Sequence, residues 1–581
     1  MLLPASLLLL AASVPLVTAA PEAEAKRPAC RYLPGDRGWP SARDWDKLNT
    51  TVGGRLIQGT PVAGVCYGGE ANQAACSQLK EEWSLVDPFL DQPVSVVAPY
   101  FENNTCSPFG ANGKTDDVSQ CQLGNLASYA INIDSADTAA AGIKFARDRN
   151  LRLVVKNTGH DYLGGSTGRG ALALWTHNLK EVTLIPEYKS KHYTGPAYRI
   201  GAGVQFMDLY KETARDGLRV VGGSCPTVGA NGGWRQGGGH GPLSSSYGLG
   251  ADNSLEYEVV TAKGTHLPVV SPTENADLFY ALSGGGAGNY AVVISAVVKA
   301  HRDGPFAGSR LTIVNDGTPG YWTAVQAYLR HLLVLDGIPG FATEALLSNS
   351  SFALVMATLP GGDEAAMGAA LAPWYADLRA AGMQPVVNET AVQGSYVEHY
   401  DEYLGGNVFT RNITIGGRLI PRDLVRDEER LARLTATFRE MVAEPDLQIF
   451  MLGYNVTKAV AGVPVDRDDF NAVTPAWRDS LLFMNLIIAG SASDPWPKLR
   501  DDLARVNRWQ DVLRDQTPGG GGYINEGTFD APQWKADYFG GTYDRLRKVK
   551  AKYDPNFVLY TRPGVGADEY AETADGHLCK V

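Results

Sequence analysis

The chain has 581 residues, with 52 Lys and Arg against 63 Asp and Glu, for a formal net charge of −11 at neutral pH. That balance, without a long basic run, argues against a nucleic acid or an anionic membrane surface as partner. The length suits a large core and two or more domains, and no segment beyond residue 20 is long and apolar enough to span a bilayer.

Residues 1–20, MLLPASLLLLAASVPLVTAA, have an apolar centre and end in Ala19-Ala20, the pattern of a cleaved secretory signal peptide. Prolines within the stretch and its small-residue end disfavour the rival reading, a membrane anchor. Lys26-Arg27 offers a second processing site. Cleavage near Ala20 implies a secreted, extracellular chain whose cysteines meet an oxidising environment. Sequons at Asn49, Asn103, Asn349, Asn388, Asn412 and Asn455 are glycosylation candidates on surface loops, and none falls between residues 110 and 340.

Residues 21–125 mix Cys, Pro, Gly and Asn and read as an irregular extension pinned by disulfides. Seven cysteines leave one over if the rest pair. Cys30, Cys66, Cys76, Cys106, Cys121 and Cys579 lie toward the chain ends and allow fifteen pairings. Proximity favours Cys66 with Cys76 and Cys106 with Cys121, leaving Cys30 to tie the amino end to Cys579. Cys225, alone in a glycine-rich segment, is the natural one to stay free.

From 126 the pattern changes. A helix is expected over 136–149 and strands over 151–156 and 171–175, with five glycines in the intervening 159–170 turn. A second unit follows, with a strand over 199–203, a helix over 205–216 and eleven glycines between 222 and 250. Glycine costs conformational entropy, so such density needs a reason, and a bound phosphate or ring is the usual one. Strands over 256–262 and 289–300 flank a helix at 275–282. From 305 to 518 glycine thins out; strands at 352–359, 448–454 and 481–488 alternate with helices at 321–335, 364–381, 422–442 and 497–514, as in a separate α+β domain. The tail, 519–581, opens on Gly519–Gly522 and turns aromatic.

Lys156–Thr167, KNTGHDYLGGST, suits a pyrophosphate, because consecutive backbone N–H groups bind it without competing side chains. It is not the Rossmann pattern, and by itself it reads equally as a structural turn. No HExxH and no paired CxxC spacing is present, so metal catalysis is not expected.

Lys156-x-x-Gly159-His160-Asp161, Cys225-Pro226-Thr227-Val228-Gly229, Gly237-Gly238-Gly239-His240-Gly241, Tyr247-Gly248-Leu249-Gly250-Ala251-Asp252-Asn253 and Asp277-Leu278-Phe279-Tyr280 occur in the order seen in FAD-linked oxidases. The chain resembles the vanillyl-alcohol oxidase superfamily, and within it secreted fungal relatives of berberine bridge enzyme. Tyr543-Asp544-Arg545-Leu546 and Tyr553-Asp554-Pro555 resemble that branch's ending. The likeness is strong over 120–300 and 520–565 and weak between. It implies an α+β fold with a two-lobed FAD-binding domain at 126–304, an antiparallel-sheet substrate domain at 305–518, and a return of 519–581 to the first.

The resemblance also implies FAD bound covalently, His160 to the flavin 8α-methyl and Cys225 to carbon 6. Lys156, Asn157, Thr158, Asp161, Gly164, Gly165, Ser166, Thr227, Val228, Gly229, Gly232, Gly233, Gly238, Gly239, His240, Gly241, Leu249, Asp252, Asn253 and Asn525 are the further cofactor-binding candidates it implies. Glu526 is the first candidate base and Tyr523 its neighbour, on a segment where the family's final strand passes the flavin. A carboxylate there works best with a pKa raised by burial. Arg418 points either at the site or into a surface ion pair. Asp161 and Trp234 depart from the family, which often has Ser after the linked His and, in plants, a polar His at the second position. The implied activity is hydride transfer from an organic alcohol, a carbohydrate or a secondary metabolite to FAD, with dioxygen as acceptor and hydrogen peroxide as product. Its rivals are a dehydrogenase passing electrons to a quinone and a flavoprotein without turnover.

Overall fold

The computed structural model describes residues 30–68, 72–102, 105–110, 118–405, 410–463, 470–491 and 494–581. The leader, Lys26-Arg27 and the sequon at Asn103 lie outside them.

Three sheets carry the site. The first has the order Leu56–Gln58, Tyr129–Asn132, Leu172–Trp175, Leu153–Lys156, and its last three strands are parallel. Helix Ala136–Asp148, capped by Ser135 in a box with Thr138, lays Ala139, Ile143 and Ala146 on Ile131, Leu153, Leu172 and Leu174. Both faces of these strands are covered, so they read as unbroken apolar runs. The second sheet is antiparallel, in the order Val182–Lys189, Thr194–Gly201, Ala291–Lys299, Ser254–Thr261, His266–Val270.

The third sheet is also antiparallel. Its seven strands run Val387–Gln393, Phe306–Val314, Ser351–Pro360, Ala342–Leu347, Leu447–Tyr454, Ser480–Ala489, Ile413–Pro421. Helices Pro319–Leu335, Glu364–Ala380 and Glu428–Val442 share the apolar core on one of its faces. The other face looks toward the first two sheets. The tail returns as helix Tyr543–Tyr553, whose Leu546 and Val549 join the core of helix Ala276–Leu282. Buried Lys550 holds Asp554 at 2.6 Å and the carbonyls of Asn289 and Leu559 at 2.7 and 2.6 Å. The fold is α+β.

Three local readings change. The stretch read as irregular holds helices Ala42–Thr51 and Gln73–Glu82, opened by the caps Ser41 and Asn72. The helix expected over 422–442 is two, because Asp427 accepts from the N–H groups of Glu429 and Arg430 and starts a new helix there. Residues 523–527 form no strand; Ile524–Glu526 is a single 3₁₀ turn. The disulfides are Cys30–Cys579, Cys66–Cys76 and Cys106–Cys121, and Cys225 is free. Among the described sequons Asn349 and Asn388 are exposed, Asn49 and Asn412 are half-buried, and Asn455 already donates its Nδ2 to Asp336 O at 2.9 Å. No described helix is long and apolar enough to cross a membrane.

Buried neutral histidines give the fold an acid sensitivity. His399 meets Thr358 Oγ1 at 2.9 Å and Gln393 Oε1 at 3.1 Å, and burial pushes its pKa down to about 3. His301 is likewise pushed down to about 3, by burial and then by Lys299 and Arg219. The folded values lie below the unfolded value of about 6.5, so on acidification the unfolded chain binds protons first. Stability is therefore full above that value and falls as pH drops from about 6.5 toward 3, by up to about 1.4 kcal/mol per pH unit for each histidine. Melting temperature measured between pH 7 and 4 should decline, and His399→Asn should make the decline shallower.

Candidate active site

A cavity of about 550 Å³ lies where the three sheets meet. Asn157 to Leu163, Gly165 and Ser166 line one side, Cys225, Val228, Gly229 and Gly232 to Trp234 another, and Tyr523 to Glu526 the mouth of the tail. The loop after strand Leu153–Lys156 is shaped by Asp161, whose carboxylate accepts from the N–H of Leu163 at 2.9 Å and of Ser166 at 2.6 Å. That is the local work of the Asp standing where relatives often have Ser. The 225–229 segment is pinned over the start of helix Phe206–Arg215, with Gln205 Nε2 on Thr227 O at 2.9 Å.

His160 and Cys225 converge. Nε2 of His160 lies 2.7 Å from Thr227 Oγ1, and Sγ of Cys225 lies 3.6 Å from the same oxygen. Burial, reinforced by Lys156 behind it, pushes His160 down to about 4. Burial pushes the Cys225 thiol up, while hydrogen bonds from Thr227 and Val228 pull it back. Lys156 itself is buried behind the wall, donating to Leu90 O at 3.1 Å and pushed down to about 7 by that burial.

Glu526 is held from two sides. His240 Nε2 meets Oε1 at 3.0 Å, and Asn485 Nδ2 donates to Oε2 at 2.6 Å. All three line the cavity. The Tyr523 hydroxyl accepts from Asn525 Nδ2 at 2.6 Å and Gly239 N–H at 3.2 Å, so it braces the turn. Burial, then the charge of Glu526, raises its pKa beyond use as a base.

Several residues read as cofactor contacts stand behind the wall. Asp252 accepts from Leu249 N–H, from Asn471 Nδ2 at 2.6 Å and from Arg478 at 2.8 and 2.9 Å. Asn253 ties Tyr247 O and Leu249 O. Gly241 N–H is taken by Ser244 Oγ, and Gly164 packs on Phe101. Gly239 and Gly250 clear space for the Trp234 ring; a Cβ on either would sit 2.7 or 2.2 Å from it. Part of the glycine density thus serves packing. Arg418 matches neither reading: it is 3 % exposed, paired with Asp537 at 2.6 Å and bonded to Thr517.

The sequence reading missed the far wall. On the seven-stranded sheet, Leu346, Phe450 and Asn485 sit side by side in register, as do Gln448, Ile487 and Ile415. Asn485 breaks the run Leu482-Phe483-Met484-Asn485-Leu486-Ile487, and Glu344 is a fully buried carboxylate in Ala342–Leu347. A lone polar residue in a buried strand needs a partner, and that was the signal available.

The residues fit a flavin dinucleotide. A Cβ on Gly233 would meet nothing nearer than 4.0 Å and would project into the cavity. Asn157 Oδ1 and Asn485 Oδ1 are buried on its walls without a partner. Size, backbone-rich walls and unpaired polar atoms are what a bound ring and phosphates would complete.

Comparisons with known proteins agree. The family described as FAD binding domain matches residues 127–269, and that described as berberine and berberine like matches 522–566. VAO-type flavoprotein oxidase VAO615 of Thermothelomyces thermophilus is 42% identical, over 95% of this chain and 96% of its own length. Bifunctional decalin synthase calF of Penicillium decumbens is 38% identical, over 95% and 96%. The crystal structure of MtVAO615 from Myceliophthora thermophila C1 superposes with a TM-score of 0.87 at 40% identity, covering 95% of this chain and all of that one (100%). With this cavity and these matches, the chain belongs to the FAD-dependent oxidoreductases of the vanillyl-alcohol oxidase and berberine bridge enzyme-like family.

Proposed function

We propose that this chain is a secreted oxidase that holds FAD through two covalent bonds, at His160 and Cys225, and oxidises an organic alcohol with dioxygen as acceptor, releasing hydrogen peroxide. The observation carrying this reading is the meeting of imidazole and thiol on Thr227 Oγ1, at 2.7 and 3.6 Å. A hydroxyl donates and accepts, so Thr227 can hold the imidazole and the thiol at the same time. The depressed His160 pKa keeps a lone pair on the ring at neutral pH. Against the burial, hydrogen bonds from Thr227 and Val228 favour the reactive thiolate of Cys225. Three disulfides support secretion.

FAD held there would supply the two-electron acceptor for a hydride, with dioxygen as the final acceptor. Glu526 faces the cavity and takes the proton of the substrate hydroxyl, with Asn485 orienting its carboxylate. Leu346, Phe450, Ile487 and Ile415 favour a substrate with an apolar body over a carbohydrate, whose hydroxyls they would leave unpaired.

Mass and absorbance after denaturation in SDS and acid test the tethers. The protein should keep its FAD mass and colour, Cys225→Ala should keep flavin through one bond with a shifted spectrum, and His160→Ala with Cys225→Ala should release it. Colour lost from the unaltered protein would refute the tethers. Reduction of an artificial quinone without peroxide under air would favour the dehydrogenase.

A further inference from the structure

A second, smaller space adjoins the active-site cavity. It is a chamber of about 30 Å³ bounded chiefly by Ala98, Pro99, Phe101, Leu499, Leu503 and Phe529. Tyr162, Ile413 and Ile415 line both this chamber and the main cavity, so their side chains form the partition between the two. At its other end Tyr100 and Leu503 line both the chamber and an open groove of about 630 Å³, where Arg500, Arg508 and Asp530 are exposed. Three spaces therefore stand in series from active site to solvent, each parted from the next by two or three side chains.

The chamber is built, not left over from loose packing. The rings of Tyr100, Phe101 and Phe529 lie 5.1–5.4 Å apart, centroid to centroid. Leu499 and Leu503, one turn apart on helix Trp496–Gln516, complete the wall, and the helix start is anchored by Trp496 Nε1 on Tyr100 O at 3.1 Å. Thr528 spends its hydroxyl on Asn507 Oδ1 at 2.6 Å and accepts from Gln510 Nε2 at 3.0 Å. The remaining hydroxyls on the wall belong to Thr414 and to the tyrosines at the two ends. A water needs two to four polar partners to stay in such a space, and an alcohol or a peroxide would lose its hydrogen bonds there. A small apolar molecule loses none.

We propose that this chamber is a side passage for dioxygen, which enters from the groove at Tyr100 and Leu503 and reaches the main cavity past Tyr162, Ile413 and Ile415. This rests on the reading of the protein as an oxidase. No bond forms or breaks on the way; rotamer hopping of the partition side chains opens it. A separate route lets the electron acceptor arrive while substrate or product still fills the larger cavity. Leu503 belongs to the chamber and the groove but not to the main cavity, so a change there addresses the route without touching substrate or FAD.

Stopped-flow recolouring of photoreduced holoenzyme over a series of dioxygen concentrations reads the second-order rate, and alcohol-driven bleaching without air reads the other half of turnover. In a close-packed wall added volume closes the gap, so Leu503→Phe and Leu503→Trp should lower the dioxygen rate by about threefold and about tenfold, with bleaching unchanged. Equal dioxygen rates in all three proteins would overturn the route and leave the oxidase reading intact. A reduced, unaltered protein inert to dioxygen would overturn both. Bleaching slowed as much as recolouring would mark a general distortion and also overturn the route. Crystals of the unaltered protein pressurised with krypton give an answer even if neither variant folds: the gas should occupy the chamber, and a chamber without it would overturn the proposal.

Discussion

Glu526→Gln is expected to slow alcohol-driven bleaching of the flavin by roughly 10²–10⁴-fold, the range for loss of a positioned general base. Glutamine has the same shape, and its carbonyl can still accept from Asn485, so flavin retention and melting temperature should stay close to those of the unaltered protein. Anaerobic stopped-flow absorbance over a panel of apolar primary and secondary alcohols reads the rate. Tyr523→Phe is the contrast. Its hydroxyl is engaged by Asn525 and Gly239, so the loss should be about fivefold, the worth of one ordinary hydrogen bond. If the tyrosine change exceeded the glutamate change, the proton would leave through Tyr523.

Legibility followed physical cause. Strands Leu153–Lys156 and Leu172–Trp175 were readable because burial on both faces makes continuous apolar runs. His160 and Cys225 were visible because glycine-rich flanks and an odd cysteine count set them apart. Strand Phe306–Val314 and strand Ile413–Pro421 were not read: the first opens on small residues and carries Arg310 at its centre, and the second carries Gly416 and Gly417, where Val506 and Phe483 press on the backbone. Of the two only Ile413–Pro421 reaches the cavity, through Ile413 and Ile415, while Leu447–Tyr454 and Ser480–Ala489, both expected as strands, supply most of the substrate wall; what the sequence did not announce is which of their side chains face it. Glu526 was picked as a base from position alone. Its partners His240 and Asn485 lie 286 and 41 residues away, and no local pattern announces such a meeting. Asp252 was misplaced for a related reason: a buried aspartate beside a glycine-rich turn reads as a ligand contact until its arginine, 226 residues on, is seen.

That aspartate yields the largest expected effect on stability. Asp252 is fully buried and ends the glycine-rich segment, while Arg478 and Asn471 come from the segment between strands Leu447–Tyr454 and Ser480–Ala489. Asp252→Ala removes the acceptor for both and for Leu249 N–H, and leaves the Arg478 guanidinium, 13 % exposed, without its counter-charge. Breaking a buried pair from one side costs about 3–5 kcal/mol, because the orphaned charge remains desolvated. For a chain of this size roughly 4 kcal/mol lowers the melting temperature by about 3–4 °C. Asp277→Ala is the control. Its pair with Lys552 is solvent-exposed, 35 % and 60 %, and should shift melting by less than about 1 °C. Calorimetry at one scan rate, pH 7, separates the two. The clamp joins the cofactor side to the strands bearing Phe450 and Asn485, so Asp252→Ala should also loosen flavin fluorescence quenching before global unfolding. Melting unchanged in Asp252→Ala would mean that Arg478 finds solvent when its partner is gone, and that the two sides are held by their apolar contacts alone.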